Sequence, residues 1–181
     1  MKDQNYNVYL KYAREKITYF GRLSYFCGAE KKMSYTQLIY HIVIRTKHSK
    51  PTIPNEHSEE LYRYIWGFIN NKKSYLYRIN GMPDHIHILV GLHSTWSLAN
   101  FVKVLKTSTN SWLKENGNFP DFESWSVKYG AFTCFYQGKE SVIEYIKNQR
   151  EHHKSENFVD EYRRLIEESG VEIDERYWLE D

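Results

Sequence analysis

From residue 35 onward the hydrophobic pattern switches repeatedly between the period of a strand and that of a helix. Residues 35–46, YTQLIYHIVIRT, are rich in β-branched and aromatic side chains and predict a strand. Residues 49–55 carry two prolines and predict a loop. Residues 56–70 set Leu61, Ile65, Phe68 and Ile69 near one side at helical spacing and predict an amphipathic helix. Residues 74–80 then predict a strand, 80–84 a turn and 85–91 a second strand, together a hairpin. Residues 97–116 open on Ser97, suited to N-capping, and align Leu98, Phe101, Val102, Leu105 and Trp112 on a helical face. Residues 125–136 predict a strand interrupted near Gly130, residues 141–154 a helix, and residues 157–169 a last helix stopped by Gly170.

The order strand, helix, strand, strand, helix, strand, helix predicts an α+β fold, an antiparallel sheet with helices packed on it in the ferredoxin-like manner. That architecture hosts many activities and does not decide function. Residues 1–32 have mixed periodicity and end at Lys31-Lys32-Met33-Ser34, which reads as a boundary, with Met33 a candidate alternative start. The chain therefore divides into an N-terminal extension (1–32), a main domain (33–154) and a C-terminal segment (155–181).

Charge changes the picture. Residues 1–154 hold 22 Lys and Arg against 13 Asp and Glu, whereas residues 155–181 hold 3 against 10, so a basic body carries an acidic tail. Cations that neutralise phosphates and aromatic rings that stack on unpaired bases are what a nucleic-acid binder needs, and the chain has 16 tyrosines and 5 tryptophans. The apolar side formed by Phe158, Tyr162, Leu165 and Ile166 predicts that the acidic segment packs on the body. No run of apolar residues is long enough to span a membrane and no secretory signal opens the chain, so a cytoplasmic protein is expected. The two cysteines, Cys27 and Cys134, form no Cys-x-x-Cys pair, which argues against a disulfide framework or a zinc knuckle.

Candidate chemistry begins at MPDHIHILVG, residues 82–91. Strand side chains alternate, so His85 and His87 share one face while Ile86, Ile88 and Val90 share the other. Two imidazoles at this spacing are either hydrogen-bonded residues of a half-exposed sheet or, since both rings converge on one point, half of a metal site that needs a further ligand. The helix SVIEYIKNQREHHK supplies candidates: Tyr145 and Gln149, four residues apart, lie on one face, with His153 the next position along it. A metal held by two imidazoles and an amide oxygen beside a phenol suits phosphoryl chemistry, in which the phenol becomes a nucleophile and stores the broken strand as a phosphotyrosine. Lys103 and Lys106 on the preceding helix are candidate phosphate contacts. A metalloenzyme acting on something other than nucleic acid would also use the two histidines, but leaves the basic body and the Tyr-x-x-x-Gln turn unexplained.

HIH within GMPDHIHILVG, followed about sixty residues later by YIKNQ, resembles the single-tyrosine HUH transposases of the insertion sequence 200/605 type and their REP-associated relatives. The segments MSYTQLIYHIVIRTK, LANFVKVLKTSTNSWL, YGAFTCF and VEIDERYWLED are similar to that group too, so the resemblance spans roughly residues 33–181. It implies a ferredoxin-like, RRM-like HUH fold. His85, His87 and Gln149 would be ligands of Mg2+ or Mn2+, and Tyr145 the nucleophile that becomes joined to the 5′ phosphate of cleaved single-stranded DNA, leaving a free 3′ hydroxyl. It implies recognition of DNA hairpins and a homodimer. A domesticated REP-associated hairpin-binding or nicking protein that does not mobilise itself is the alternative expectation.

Overall fold

The structure, a computed structural model, describes residues 35–181, so the expectation for residues 1–32 lies outside the described residues. Four strands form one sheet: β1 (Ile39–Arg45), β2 (Tyr75–Met82), β3 (His85–Gly91) and β4 (Gly130–Thr133). Five helices accompany them: α1 (Ser58–Asn71), α2 (Leu98–Glu115), α3 (Lys139–Lys147), α4 (Gln149–His152) and α5 (Phe158–Glu168). The strand order is β2-β3-β1-β4 and every pair is antiparallel. This is the ferredoxin-like order expected from the sequence, in which α1 and α2 cross between strands that are not neighbours.

The sheet is covered on both faces, and strand alternation decides which residue goes where. Ile42, Ile44, Ile86, Ile88 and Val90 face α1 and α2 and join Leu61, Ile65, Ile69, Phe101, Val102 and Leu105 in the main core. Each crossover helix offers an apolar stripe to that core, and α2 starts where Ser97 accepts a hydrogen bond from the Asn100 amide at 3.3 Å. The other face carries Ile39, His41, Val43, Arg45, His85, His87 and Leu89. Over it pack Ile146 and Ile143 of α3 and Phe158 and Tyr162 of α5. The acidic segment is thus seated on the sheet. Its end is held where Arg45 donates to the Leu179 carbonyl at 2.6 Å and pairs with Asp181 at 3.2 Å.

Two predicted elements differ from those observed. The strand expected over 125–136 is confined to Gly130–Thr133, and Trp125 makes only an isolated bridge to Thr46. The Trp125 indole is drawn into the core, donating to Thr109 Oγ1 at 2.8 Å, and pairing resumes at Gly130. There the Tyr162 ring approaches so closely that a Cβ would stand 2.7 Å from it. The helix expected over 141–154 begins earlier, at Lys139, and divides at Asn148 (φ −95°, ψ 16°). At the break the Asn148 amide still donates to the Glu144 carbonyl at 3.1 Å, and beyond it the His153 amide donates to the Gln149 carbonyl at 3.0 Å. Among the described residues, no helix is long and apolar enough to cross a membrane.

Candidate functional site

The β2–β3 hairpin builds the first wall. Met82 pairs with His85 across a two-residue Pro83-Asp84 turn, so His85 leads β3 and His87 follows two residues later on the same face. Gly81 is required behind it: a Cβ there would fall 2.2 Å from the His85 carbonyl oxygen, a clash no side chain relieves. Asp84 Oδ1 stands 2.8 Å from His85 Nδ1. Burial raises the Asp84 carboxyl, but the hydrogen bond to His85, the charges of His85 and His153 and a backbone hydrogen bond together outweigh burial and hold it below the ordinary value. His41, on β1 beside β3, stands with Nε2 2.9 Å from His87 Nδ1. Burial, and then the neighbouring His87, push His41 down to about 3, so it is neutral at physiological pH.

In both histidines Nδ1 is occupied by a neighbour and Nε2 is left pointing inward. This is how metal-ligating imidazoles are oriented, since a partner on one nitrogen fixes the ring and its tautomer. His85 and His87 are wholly buried, and their Nε2 atoms lack any hydrogen-bond partner. Gln149 Oε1 is buried and unpartnered in the same way. Buried polar atoms without partners are rare and call for an explanation. Two imidazole nitrogens and an amide oxygen left in this way, on three residues that all approach Glu161, are a donor set suited to a divalent cation. The residues present therefore have the chemistry to hold a metal.

The second wall is α3 and α4. Asn80 of β2, on the same sheet face as His87, donates its amide to the carbonyls of Ile146 and Lys147, each at 3.0 Å. It thereby satisfies two carbonyls at the end of α3, which helices otherwise leave open, and fixes the helix over the histidines. Ile146 is fully buried against Leu89 and Ile39 and anchors the same turn. Tyr145 is thus set with its ring centroid 6.1 Å from those of both His41 and His87.

The third wall is α5, which the sequence reading did not connect to the site. Glu161 is 1% exposed and stands at the centre of everything described so far. Its Oε1 accepts from the Tyr145 hydroxyl and from Gln149 Nε2 (2.8 Å). Its Oε2 lies 3.0 Å from His153 Nε2, 3.5 Å from His87 Nε2 and 3.6 Å from His85 Nε2. The first of these is a hydrogen bond and the other two are electrostatic approaches. Burial would raise the Glu161 carboxyl, but the contacts with His153, His87 and Tyr145 outweigh it and hold it well below the ordinary range. His153 is moved upward, because Glu161 more than offsets the downward effect of burial. The Tyr145 hydroxyl is raised by burial and by the Glu161 carboxylate, while Arg164, 3.3 Å from its oxygen, works the other way. Arg164 is in turn held by Glu156 at 2.7 Å.

The sequence-predicted residues divide cleanly. Tyr145, Gln149, His85 and His87 converge on one carboxylate of the same chain, with His153 beside them. Lys103 and Lys106 do not join them, because α2 lies on the opposite face of the sheet. Lys103 is exposed, whereas the Lys106 ammonium donates to the carbonyls of Ser126 and, at 2.8 Å, Val127. Glu161 had one signal in the sequence: it falls three residues after Phe158 and four before Leu165, a carboxylate inside the stripe that the helix buries.

The model of the IS200-like transposases matches residues 34–149 of this chain, about two thirds of its length and both halves of the site. The chain belongs to the IS200-like transposase family. Among solved structures, a REP-associated tyrosine transposase bound to a REP hairpin superposes with a TM-score of 0.51 at 11% identity, over 69% of this chain and 74% of that one. This shows that the two share the HUH fold. A provisionally named transposase from Deinococcus radiodurans R1 is also similar, with 22% identity over 68% of this chain and 98% of that one, at a TM-score of 0.49. No curated protein is significantly similar in sequence. As a member of this family the transposase is a DNA-cleaving enzyme, and its cluster of His85, His153 and Glu161 has the composition of a metal site.

Proposed function

We propose that this transposase cleaves and rejoins single-stranded DNA through a 5′-phosphotyrosine on Tyr145, with Mg2+ or Mn2+ held by His85, His87 and Gln149, and that it recognises DNA hairpins. The observation that carries the reading is the convergence, on the single carboxylate of Glu161, of a phenol, an amide and two histidines whose inward nitrogens lack partners.

When bound, the metal would act as a Lewis acid that polarises the scissile phosphate. The chain's own residues do the rest. Glu161 orients the Tyr145 hydroxyl by accepting its hydrogen; a carboxylate held so far below the usual range is a weak proton acceptor, so its part is alignment. Arg164 faces the same oxygen and stabilises negative charge as it develops there. Attack forms the bond from the tyrosine oxygen to phosphorus and breaks the bond to the 3′ oxygen. The phenol loses its proton and the departing 3′ oxygen gains one, leaving the 5′ phosphate on the protein. Attack by another 3′ hydroxyl reverses the sequence and rejoins the strand.

Phe135 (83% exposed) and Tyr136 (56%) lie just ahead of α3, with the Lys139 ammonium 4.8 Å from the Tyr136 ring. Rings and a cation in this arrangement suit unpaired bases and their phosphates. Lys103 is retained as a phosphate contact on the opposite face, with Lys106 secondary because its ammonium is engaged. The homodimer is retained too, with each site completed by its own chain.

The hairpin bound by the fold neighbour is equally compatible with a second reading, a domesticated REP-associated hairpin-binding or nicking protein that does not mobilise itself. A strand-transfer assay separates the two. A labelled single-stranded hairpin substrate with Mn2+ is offered an unlabelled acceptor carrying a 3′ hydroxyl. A labelled product of acceptor length plus transferred length supports the transposase; cleavage without joining supports the nicking protein.

A further inference from the structure

Glu161 lies beyond the stretch matched by the family model, which ends at residue 149. We propose that Glu161 is itself a ligand of the divalent cation, converting a site of neutral donors into a His85, His87, Gln149 and Glu161 set that carries a negative charge. The proposal rests on the metal-assisted reading above and specifies how this chain realises it.

Two arguments from geometry support it. Donor atoms each about 2.1 Å from one ion stand about 3.0 Å apart at a right angle and about 3.4 Å apart at the tetrahedral angle. Glu161 Oε2 is 3.6 Å from His85 Nε2 and 3.5 Å from His87 Nε2, beyond hydrogen-bond range and close to the spacing of atoms that share an ion, while its hydrogen bond is with His153 Nε2 at 3.0 Å. The second argument is electrostatic. With Nδ1 of His85 and of His87 engaged by Asp84 and His41, each ring can turn an Nε2 lone pair toward the carboxylate. A cation placed against Glu161 Oε2, which His153 Nε2 also holds at 3.0 Å, would give each Nε2 of His85 and His87 the partner it lacks.

The two carboxylate oxygens have separate tasks in this arrangement. Oε2 faces the imidazoles, while Oε1 holds the Tyr145 hydroxyl and Gln149 Nε2. One side chain thus ties the position of the ion to that of the nucleophile, and the acidic α5 becomes a working part of the site. Mixed imidazole and carboxylate donors suit Mn2+ better than Mg2+, which prefers oxygen and water.

The test is titration of the full chain with Mn2+ alone, by calorimetry and by the electron paramagnetic resonance of bound Mn2+, for the unaltered protein, Glu161→Gln, Glu161→Asp and His87→Ala. Unaltered protein is expected to bind one Mn2+ per chain. Glu161→Gln should bind at least about tenfold more weakly at unchanged circular dichroism, because ligand charge sets affinity at such sites. Glu161→Asp should fall between the two, and this variant carries the test where Glu161→Gln fails to fold. Mn2+ binding by Glu161→Gln that equals or exceeds that of the unaltered protein overturns the proposal and makes Glu161 an occupant of the site rather than a ligand. Undiminished binding by His87→Ala, or none by the unaltered protein, overturns the metal-assisted reading beneath it.

Discussion

His41 Nε2 stands 2.9 Å from His87 Nδ1, joining β1 to the inner strand of the site through two buried rings. Burial lowers His87 to about 4 and, with His87 beside it, His41 to about 3. Unfolded histidines take up protons near pH 6.5, which these two refuse until the pH is far lower. The unfolded state therefore binds more protons throughout this window, and stability must fall as pH drops below 6.5. Each ring contributes a slope of up to about 1.4 kcal/mol per pH unit. Denaturation of the metal-free protein between pH 6.5 and 5, above the titration of most carboxylates, should show this decline, and His41→Leu should flatten it. Stability independent of pH in that window would refute the buried neutral pair.

Asn80 reaches across from the sheet to the end of α3. Asn80→Ala leaves two carbonyls without their donor at the turn that carries Tyr145. The expected cost is about 1–3 kcal/mol. Thermal denaturation should show it as a fall of about 2–4 °C per kcal/mol for a chain of this size. The rate of covalent adduct formation should fall further than stability alone explains, because misplacing a nucleophile by a fraction of an ångström weakens catalysis steeply.

Tyr145 lies beside the histidines of its own chain, its ring centroid 6.1 Å from that of His87, and on this placement we propose that each site is completed within one chain. Mixing His87→Ala with Tyr145→Phe and allowing subunits to exchange should restore no cleavage, since every chain then lacks half a site. Activity recovered on mixing would show that the tyrosine helix serves the neighbouring subunit.

Much of this site was legible in the sequence because its two halves are local patterns. Strand alternation sets His85 and His87 on one face, and helical spacing stacks Tyr145 below Gln149, whatever the rest of the chain does. The fold class was legible for a related reason: each element announces its period, and the order of elements restricts the topology. Asn80, His41, Arg164 and Glu161 were not legible as site residues, because their roles depend on which face of the sheet each helix covers. Glu161 came closest, as a carboxylate within the apolar stripe of α5. The lysines of α2 illustrate the converse. Their charge was visible, but α2 packs against the isoleucine face, away from the histidines.

The central claim is that Tyr145 becomes covalently joined to DNA. The direct measurement is incubation of the purified protein with labelled single-stranded DNA hairpins and Mn2+ or Mg2+, followed by denaturing electrophoresis and mass-spectrometric mapping of the modified peptide. The account predicts a metal-dependent protein–DNA adduct carried on Tyr145 and absent from a Tyr145→Phe variant with intact fold and Mn2+ binding. Hairpin cleavage that persists in Tyr145→Phe, or an adduct mapped to another residue, would contradict it.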